Sequence, residues 1–261
     1  MLNIRLRIIP PILFLFALIL TYEGIRRGFS LPEIILPAPW EVLRAMSSEP
    51  RLGLHLSVTF GEAMAGFLVG NVLAIIAAIA FVRWPAVEHG LLPYALSLKT
   101  TPIVAIAPIL IIWFGGGWAS KAVAAASVCF FPTLLNATRG LRLIETPDYR
   151  DLWDLFRSWS VGWWRTLFYL RFPLSLPYIF AALKVSASLA LVGAVVAEFV
   201  AADKGLGFLI VIYSRRLETA SMFGIVIISA LLSLAWFYAI VILERLCARR
   251  FHSLISREEL L

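Results

Sequence analysis

Lys99, Thr100 and Thr101 stand together inside an otherwise apolar stretch, SLKTTPIVAIAPILIIWFGGG, directly ahead of Pro102 and with Pro108 further along. Proline removes a backbone donor and blocks continuation of a helix, so the stretch is expected to break or kink there, as spans that line cavities do. A charge inside a membrane segment is costly enough to point to a solute or ion path through Lys99 and Thr100. The competing reading is that the lysine carries its ammonium to an interface while its stem stays in hydrocarbon. Glu198 ends a row of small residues at every fourth position, Ala182, Ser186, Ala190 and Ala194, and a second row is formed by Gly66, Gly70, Ala74 and Ala78. Each row occupies one helical face and lets backbones approach closely, so helix packing is the primary reading. Ser186 and Glu198 are secondary candidates for a solute path, with Glu198 paired to a neighbouring cation as the alternative.

The remaining reactive residues do not assemble into a catalytic pattern. The three histidines are His55, His89 and His252, without an HExxH run or a Gly-x-Ser-x-Gly elbow, and no GxxxxGK[ST] phosphate loop occurs. Cys129 and Cys247 lie in apolar runs and read as small buried hydrophobes, not metal ligands or a disulfide. The chain is therefore expected to be no enzyme, to bind no metal or cofactor, and to draw any ATP-derived energy from another chain.

The elements that hold these residues are set by composition. Hydrophobic residues make up 61% and charged residues 15%, against roughly 45–50% and 25% in soluble domains. Since a spanning helix needs about 20 apolar residues, six spans are predicted, near 8–25, 55–82, 91–114, 118–138, 174–200 and 221–246. The fold class is an all-α membrane protein. It divides into 1–54, a first span with an outer loop; 55–247, a core of five spans; and 248–261, a tail. Arg5 and Arg7 ahead of the first apolar run imitate a signal peptide, but that run ends in Thr21-Tyr22-Glu23 without a small-x-small cleavage site, so it reads as a retained span. The net charge of +7 is scattered over short loops with no basic domain face, which argues against nucleic acid. With the amino terminus inside, thirteen basic residues fall on the cytoplasmic side and eight outside, so the charge bias places both termini in the cytoplasm. Residues 203–220 form an outer connection whose apolar run is too short to span, with Gly205 and Gly207 allowing the turn into a surface or re-entrant segment.

Between the fourth and fifth spans lies a long Arg- and Trp-rich segment, Arg139 to Arg171. Pro147 and Asp148 suit a helix start. Leu152, Leu155, Phe156, Trp159 and Trp163 recur at helical spacing, with Asp151, Asp154, Arg157 and Ser158 largely off that stripe, and Gly162 is expected to end the helix. Such a helix either lies in the headgroup layer of the lipid bilayer or inserts into the groove of a soluble subunit.

That segment and its sequel, LPYIFAALKVSASLALVGAVVAEFVAADKGLGFLI, together with LPAPWEVLRAM, AGFLVGNVLAI and PIVAIAPILIIWFGGGWASK, resemble the permease subunits of ABC importers for nitrate, sulfonate, taurine, bicarbonate and related solutes. The resemblance covers nearly the whole chain. It implies the type I importer permease fold, a place in a bacterial inner membrane, and a second copy or a close relative completing the pore. It also implies an ATP-binding subunit carrying ATP and Mg below and an extracytoplasmic solute-binding protein above. The solute would be small and anionic or polar, a thiamine precursor included. Aligning the family's Glu-Ala-Ala, Gly and Pro loop pattern on Pro177 places Asp154, Leu155 and Phe156 at the first three positions and Ser160 at the glycine, with Gly162 as a substitute for its turn. The helix around Asp151 to Gly162 would then be the coupling helix that docks on the ATPase, and Lys99 sits where relatives often carry a basic residue. The rival reading from the residues alone is an ion-coupled secondary transporter using Glu62 and Glu198 as ligands.

Overall fold

A computed structural model describes residues 2–250, with side chains described for all of these but 2–9, 11, 12, 15, 98, 249 and 250. Among the described residues there are helices and turns and no strand. The helices are α1 (Leu2–Gly28), α2 (Pro39–Ser48), α3 (Leu52–Arg83), α4 (Pro85–Thr100), α5 (Ile103–Phe114) and α6 (Trp118–Leu141), followed by α7 (Arg150–Ser158), α8 (Trp163–Thr166), α9 (Phe172–Val200), α10 (Leu206–Arg216) and α11 (Thr219–Arg250). Most of the expected tail, with His252 and Arg257, lies outside the described residues.

Four stretches, Leu52–Arg83, Trp118–Glu145, Trp163–Val200 and Thr219–Ala248, are long and apolar enough to cross a membrane. The third expected span is two helices, α4 and α5, and it starts at Pro85, earlier than the apolar run implies. The break falls at Thr101-Pro102, with Pro102 extended at φ −60°, ψ 128°. Pro93 and Pro108 are accommodated inside α4 and α5. The difference is positional. Pro102 follows a turn that has already closed with hydroxyl-to-carbonyl bonds from Thr100 and Thr101 to Ser97, so the chain can leave the helix there.

The core is a three-helix slab with α6 in the middle. A Cβ placed on Gly66 would come within 2.4 Å of the Ala125 Cβ, and one on Gly70 within 2.5 Å of the Ala126 carbonyl. From the other side, a Cβ on Gly193 would come within 2.6 Å of Val128. Ala74 and Ala78 of α3, and Ala182, Ala190 and Ala194 of α9, are fully buried. With no side chain to hold the backbones apart, the three helices approach to the distance at which dispersion and Cα–H contacts act. A buried polar chain crosses the same slab. Thr133 Oγ1 donates to Asn71 Oδ1 at 2.5 Å and lies 3.0 Å from Ser186 Oγ, and Ser186 Oγ reaches the Cys129 carbonyl at 3.2 Å. In hydrocarbon each of these groups must be satisfied internally, so the chain fixes helix register.

By contrast, α1 presents Leu13, Phe14, Phe16 and Leu18 outward and is tied to the outer loop by the Tyr22 hydroxyl, which donates to the Pro37 carbonyl at 2.7 Å, and by Arg26 over the Trp40 ring. On the other flank, α11 is held to α9 by the ion pair of Lys184 with Glu244 at 2.9 Å.

Candidate functional site

Three places gather the polar residues singled out by sequence. The first is the base of α9. A 3₁₀ turn at Pro147–Tyr149 precedes α7, so the helix begins at Arg150, later than Pro147. Leu152, Trp153 and Phe156 pack onto Ile144, Leu170 and Leu174. Asp151, Asp154 and Arg157 point away from the body. Leu155 and Trp159 also face outward, at 43% and 68% exposure, which corrects the stripe read from spacing. At about 100° per residue, Phe156 falls between Leu152 and Trp153, which form the edges of the packed face, and Leu155 falls about 60° beyond Leu152. The helix closes on Ser160, whose φ is +53°. The Ser160 N–H donates to the Arg157 carbonyl at 3.0 Å and the Val161 N–H to the Phe156 carbonyl at 3.3 Å, the pairing of a left-handed helix stop. Gly162, at φ −64°, is instead the residue preceding α8. Ser160 therefore makes the turn itself, and Gly162 does not replace it.

Sequence reading counted Arg171 only as one more charge, yet it joins this lever to the slab. Its side chain is 5% exposed. Its Nη1 donates to the Leu141 carbonyl at 2.9 Å and pairs with Glu145 at 2.8 Å, and its guanidinium lies 5.0 Å from the Trp153 ring centroid. One side chain thus touches α7, α6 and the 3₁₀ turn between them. Nearby, Glu88 at the start of α4 binds Arg142, one of the two hydrogen bonds being 3.1 Å. No signal in the sequence separates Arg171 from the exposed arginines around it except its place next to Phe172-Pro173.

The second place is a cavity of about 730 Å³ bounded by α3, α4, α5 and α6, with Leu189 of α9 completing the wall. Lys99 and Thr101 line it at the α4–α5 break, Ser127 faces them from α6, and the walls include Phe81, Tyr94 and Phe131. Thr100 is outside its wall, and its hydroxyl turns back to the Ser97 carbonyl at 2.8 Å. Ser186 is sealed in the α6–α9 seam with its hydroxyl engaged.

The third place surrounds Glu198, which is 1% exposed. Its Oε1 accepts from the Thr59 hydroxyl at 2.7 Å and its Oε2 from the Gly207 N–H at 2.5 Å. The Leu206 N–H donates to Thr59 Oγ1 at 2.8 Å and the Gly205 N–H to His55 Nδ1 at 3.0 Å. Glu198 also hydrogen-bonds to Glu62. The carboxylate therefore caps α10 from across the fold, satisfying donors that every helix start leaves open and complementing its positive end. Glu198 lies outside the wall of the cavity that Lys99 lines, and among the described residues it forms no ion pair. Gly205 turns at φ +110°, and a Cβ on it would lie 2.3 Å from the Glu198 carboxyl. Gly207 serves close approach and not the turn, because its Cβ would lie 2.4 Å from the Val195 carbonyl. The apolar side of α10 buries Leu206 and Leu209 against Ile225 and Ile228, so the outer connection is a packed helix.

With these arrangements described, comparison with known proteins gives a consistent answer. Residues 70–253 match the family described as binding-protein-dependent transport system inner membrane component. A probable ABC transporter permease protein of Haemophilus influenzae is 31% identical over 226 residues, covering 86% of this chain and 90% of the relative. The riboflavin transport system permease protein of Chloroflexus aurantiacus is 33% identical, covering 82% and 79%. The formylaminopyrimidine transport permease protein of Halalkalibacterium halodurans is 31% identical, covering 81% and 82%. More distant matches include a taurine transport permease of Escherichia coli, 27% identical over 68% of this chain. The ion-coupled reading is thereby set aside, and its ligand Glu198 is already committed to capping α10. The chain belongs to the binding-protein-dependent transport system inner membrane component family, as a multi-pass permease subunit of an ABC importer for a small solute.

Proposed function

We propose that two copies of this chain, or this chain and a close relative, form the membrane pore, with both termini in the cytoplasm and α7 docked into an ATP-binding subunit that carries ATP and Mg. A solute-binding protein delivers the solute from the opposite side. The observation that carries the reading is the attachment of α7. Its inner face packs on the base of α9 while Asp151, Asp154 and Arg157 are left free for a partner, and Arg171 ties it to the end of α6. A push on α7 is thus transmitted to the α3–α6–α9 slab as a whole. Lys99 and Thr101, at the hinge between α4 and α5, face the cavity that this motion would open and close, with the ammonium attracting a negatively charged solute.

The test is a pair of substitutions in the assembled transporter. Asp154→Ala with Arg157→Ala is expected to abolish co-purification of the ATPase subunit, whereas Arg171→Met is expected to retain co-purification and ATP hydrolysis while uptake falls at least tenfold. If uptake and assembly survive the first change intact, α7 is not the dock.

A further inference from the structure

The cavity at the α4–α5 break has a chemical character that narrows what it accepts. Its volume of about 730 Å³ lies in the range of small-molecule sites, about 300–1,000 Å³. Among the described residues the wall holds the aromatic side chains Phe81, Tyr94, Phe130 and Phe131, and its polar side chains besides the Tyr94 hydroxyl are Lys99, Thr101 and Ser127. Phe130 and Phe131 stand edge to face, at 5.2 Å and 90°. Lys99 has no carboxylate partner among the described residues. Its charge therefore faces an apolar chamber without a counter-ion from this chain.

A small inorganic oxyanion entering such a chamber would lose its hydration shell in exchange for one ammonium, since the Thr101 and Ser127 hydroxyls already donate to the Ser97 and Ala124 carbonyls, and most of its surface would lie against hydrocarbon. An organic anion behaves differently, because its charged group can stay at Lys99 while a flat apolar body covers the aromatic wall and gains from leaving water. Resting on the permease reading above, we propose that this cavity is a solute site within the single chain, selective for organic anions with a planar apolar ring. The anionic group sits at Lys99, the ring lies along Tyr94 and Phe131, and small inorganic oxyanions are rejected.

The experiment uses the purified permease–ATPase complex in phosphatidylcholine nanodiscs, with benzenesulfonate and nitrate as probes in calorimetric titration. Saturable benzenesulfonate binding at least tenfold tighter than nitrate is expected, weakened at least tenfold by Lys99→Met. A second variant, Ser127→Phe, fills the chamber without touching the charge and is expected to block benzenesulfonate as well. Nitrate binding as tightly as benzenesulfonate overturns the proposal, and so does benzenesulfonate uptake that is non-saturable or indifferent to both variants, since that is partition into lipid. ATP hydrolysis by the unsubstituted complex is read in parallel. Its presence without benzenesulfonate binding defeats only this site, whereas failure of the chain to assemble with the ATPase defeats the permease arrangement itself.

Discussion

Glu198 and Thr59, 139 residues apart in the chain, meet at 2.7 Å where α3, α9 and the start of α10 converge. The carboxylate serves α10 through one oxygen and α3 through the other. Glu198→Gln keeps an acceptor for only one of these donors and turns an amide N–H toward the other. It should cost about 1–3 kcal/mol, the price of a buried unsatisfied donor. Gly205→Ala should be at least as damaging, because it combines a positive φ with a Cβ 2.3 Å from the same carboxyl. Thermal unfolding of the detergent-solubilised protein reads both, and an unchanged midpoint for Gly205→Ala would contradict the clamp.

Glycines in α3 should respond to alanine with opposite signs. At Gly66 the new methyl meets Ala125 and the Ala122 carbonyl at 2.4 and 2.6 Å, whereas at Gly53 nothing lies within 4 Å. Gly66→Ala is expected to destabilise by about 1–3 kcal/mol through overpacking. Gly53→Ala should stabilise by roughly 0.5–1 kcal/mol, since alanine loses less backbone entropy in a helix. Membrane yield and melting temperature of the two variants provide the comparison.

Ser160 holds φ +53° in a conformation that costs an L-residue roughly 1–2 kcal/mol and glycine almost nothing. Ser160→Gly should therefore stabilise the α7 stop by about 1 kcal/mol, and Ser160→Val should weaken it. Amide hydrogen exchange over residues 150–161 reports this locally, with slower exchange expected for the glycine variant.

The Tyr213 hydroxyl donates to Glu49, and burial followed by that carboxylate pushes its phenol up to about 12 from the ordinary 10.0. A raised acid favours its neutral form in the fold, so this contact contributes fully below pH 10 and is lost as pH rises toward 12. Tyrosinate absorbance should show one phenol titrating late in the folded protein, and Glu49→Gln should bring that titration to lower pH. A titration unchanged by Glu49→Gln would remove Glu49 as a cause.

Much of this was readable from the residues, and the exceptions have physical reasons. Four of the six expected spans follow from length and apolar content alone, and the break at Pro102 from proline's missing donor. The small rows of α3 and α9 were visible as four-residue repeats, but their common partner α6 was not, because Ala122, Ala125 and Ala126 form no unbroken row of their own. Leu155 was misplaced because a short helix has too few turns for its stripe to be distinguished from a neighbouring one. Glu198 was read in isolation, since its partners Thr59 and His55 lie far away in sequence and the donors it satisfies are backbone groups that no side-chain pattern displays. Arg171 was hidden among five other arginines of its segment for a similar reason: its acceptor is the Leu141 carbonyl.

The five residues Leu167–Arg171 form a π-helical turn between α8 and α9. Such a turn carries one residue more than an α-helical turn would, and each residue advances the helical phase by about 100°. The short helix α8 is thus rotated relative to α9, as a key cut one notch further round. The aim of α8 at the base of the slab is set by that single surplus residue. Shortening the turn by one would swing Trp163 and Trp164 of α8 about 100° around the axis of α9 and strain the link from α8 back to the Ser160 stop that ends α7, so the length of this stretch is as constrained as the packing around it.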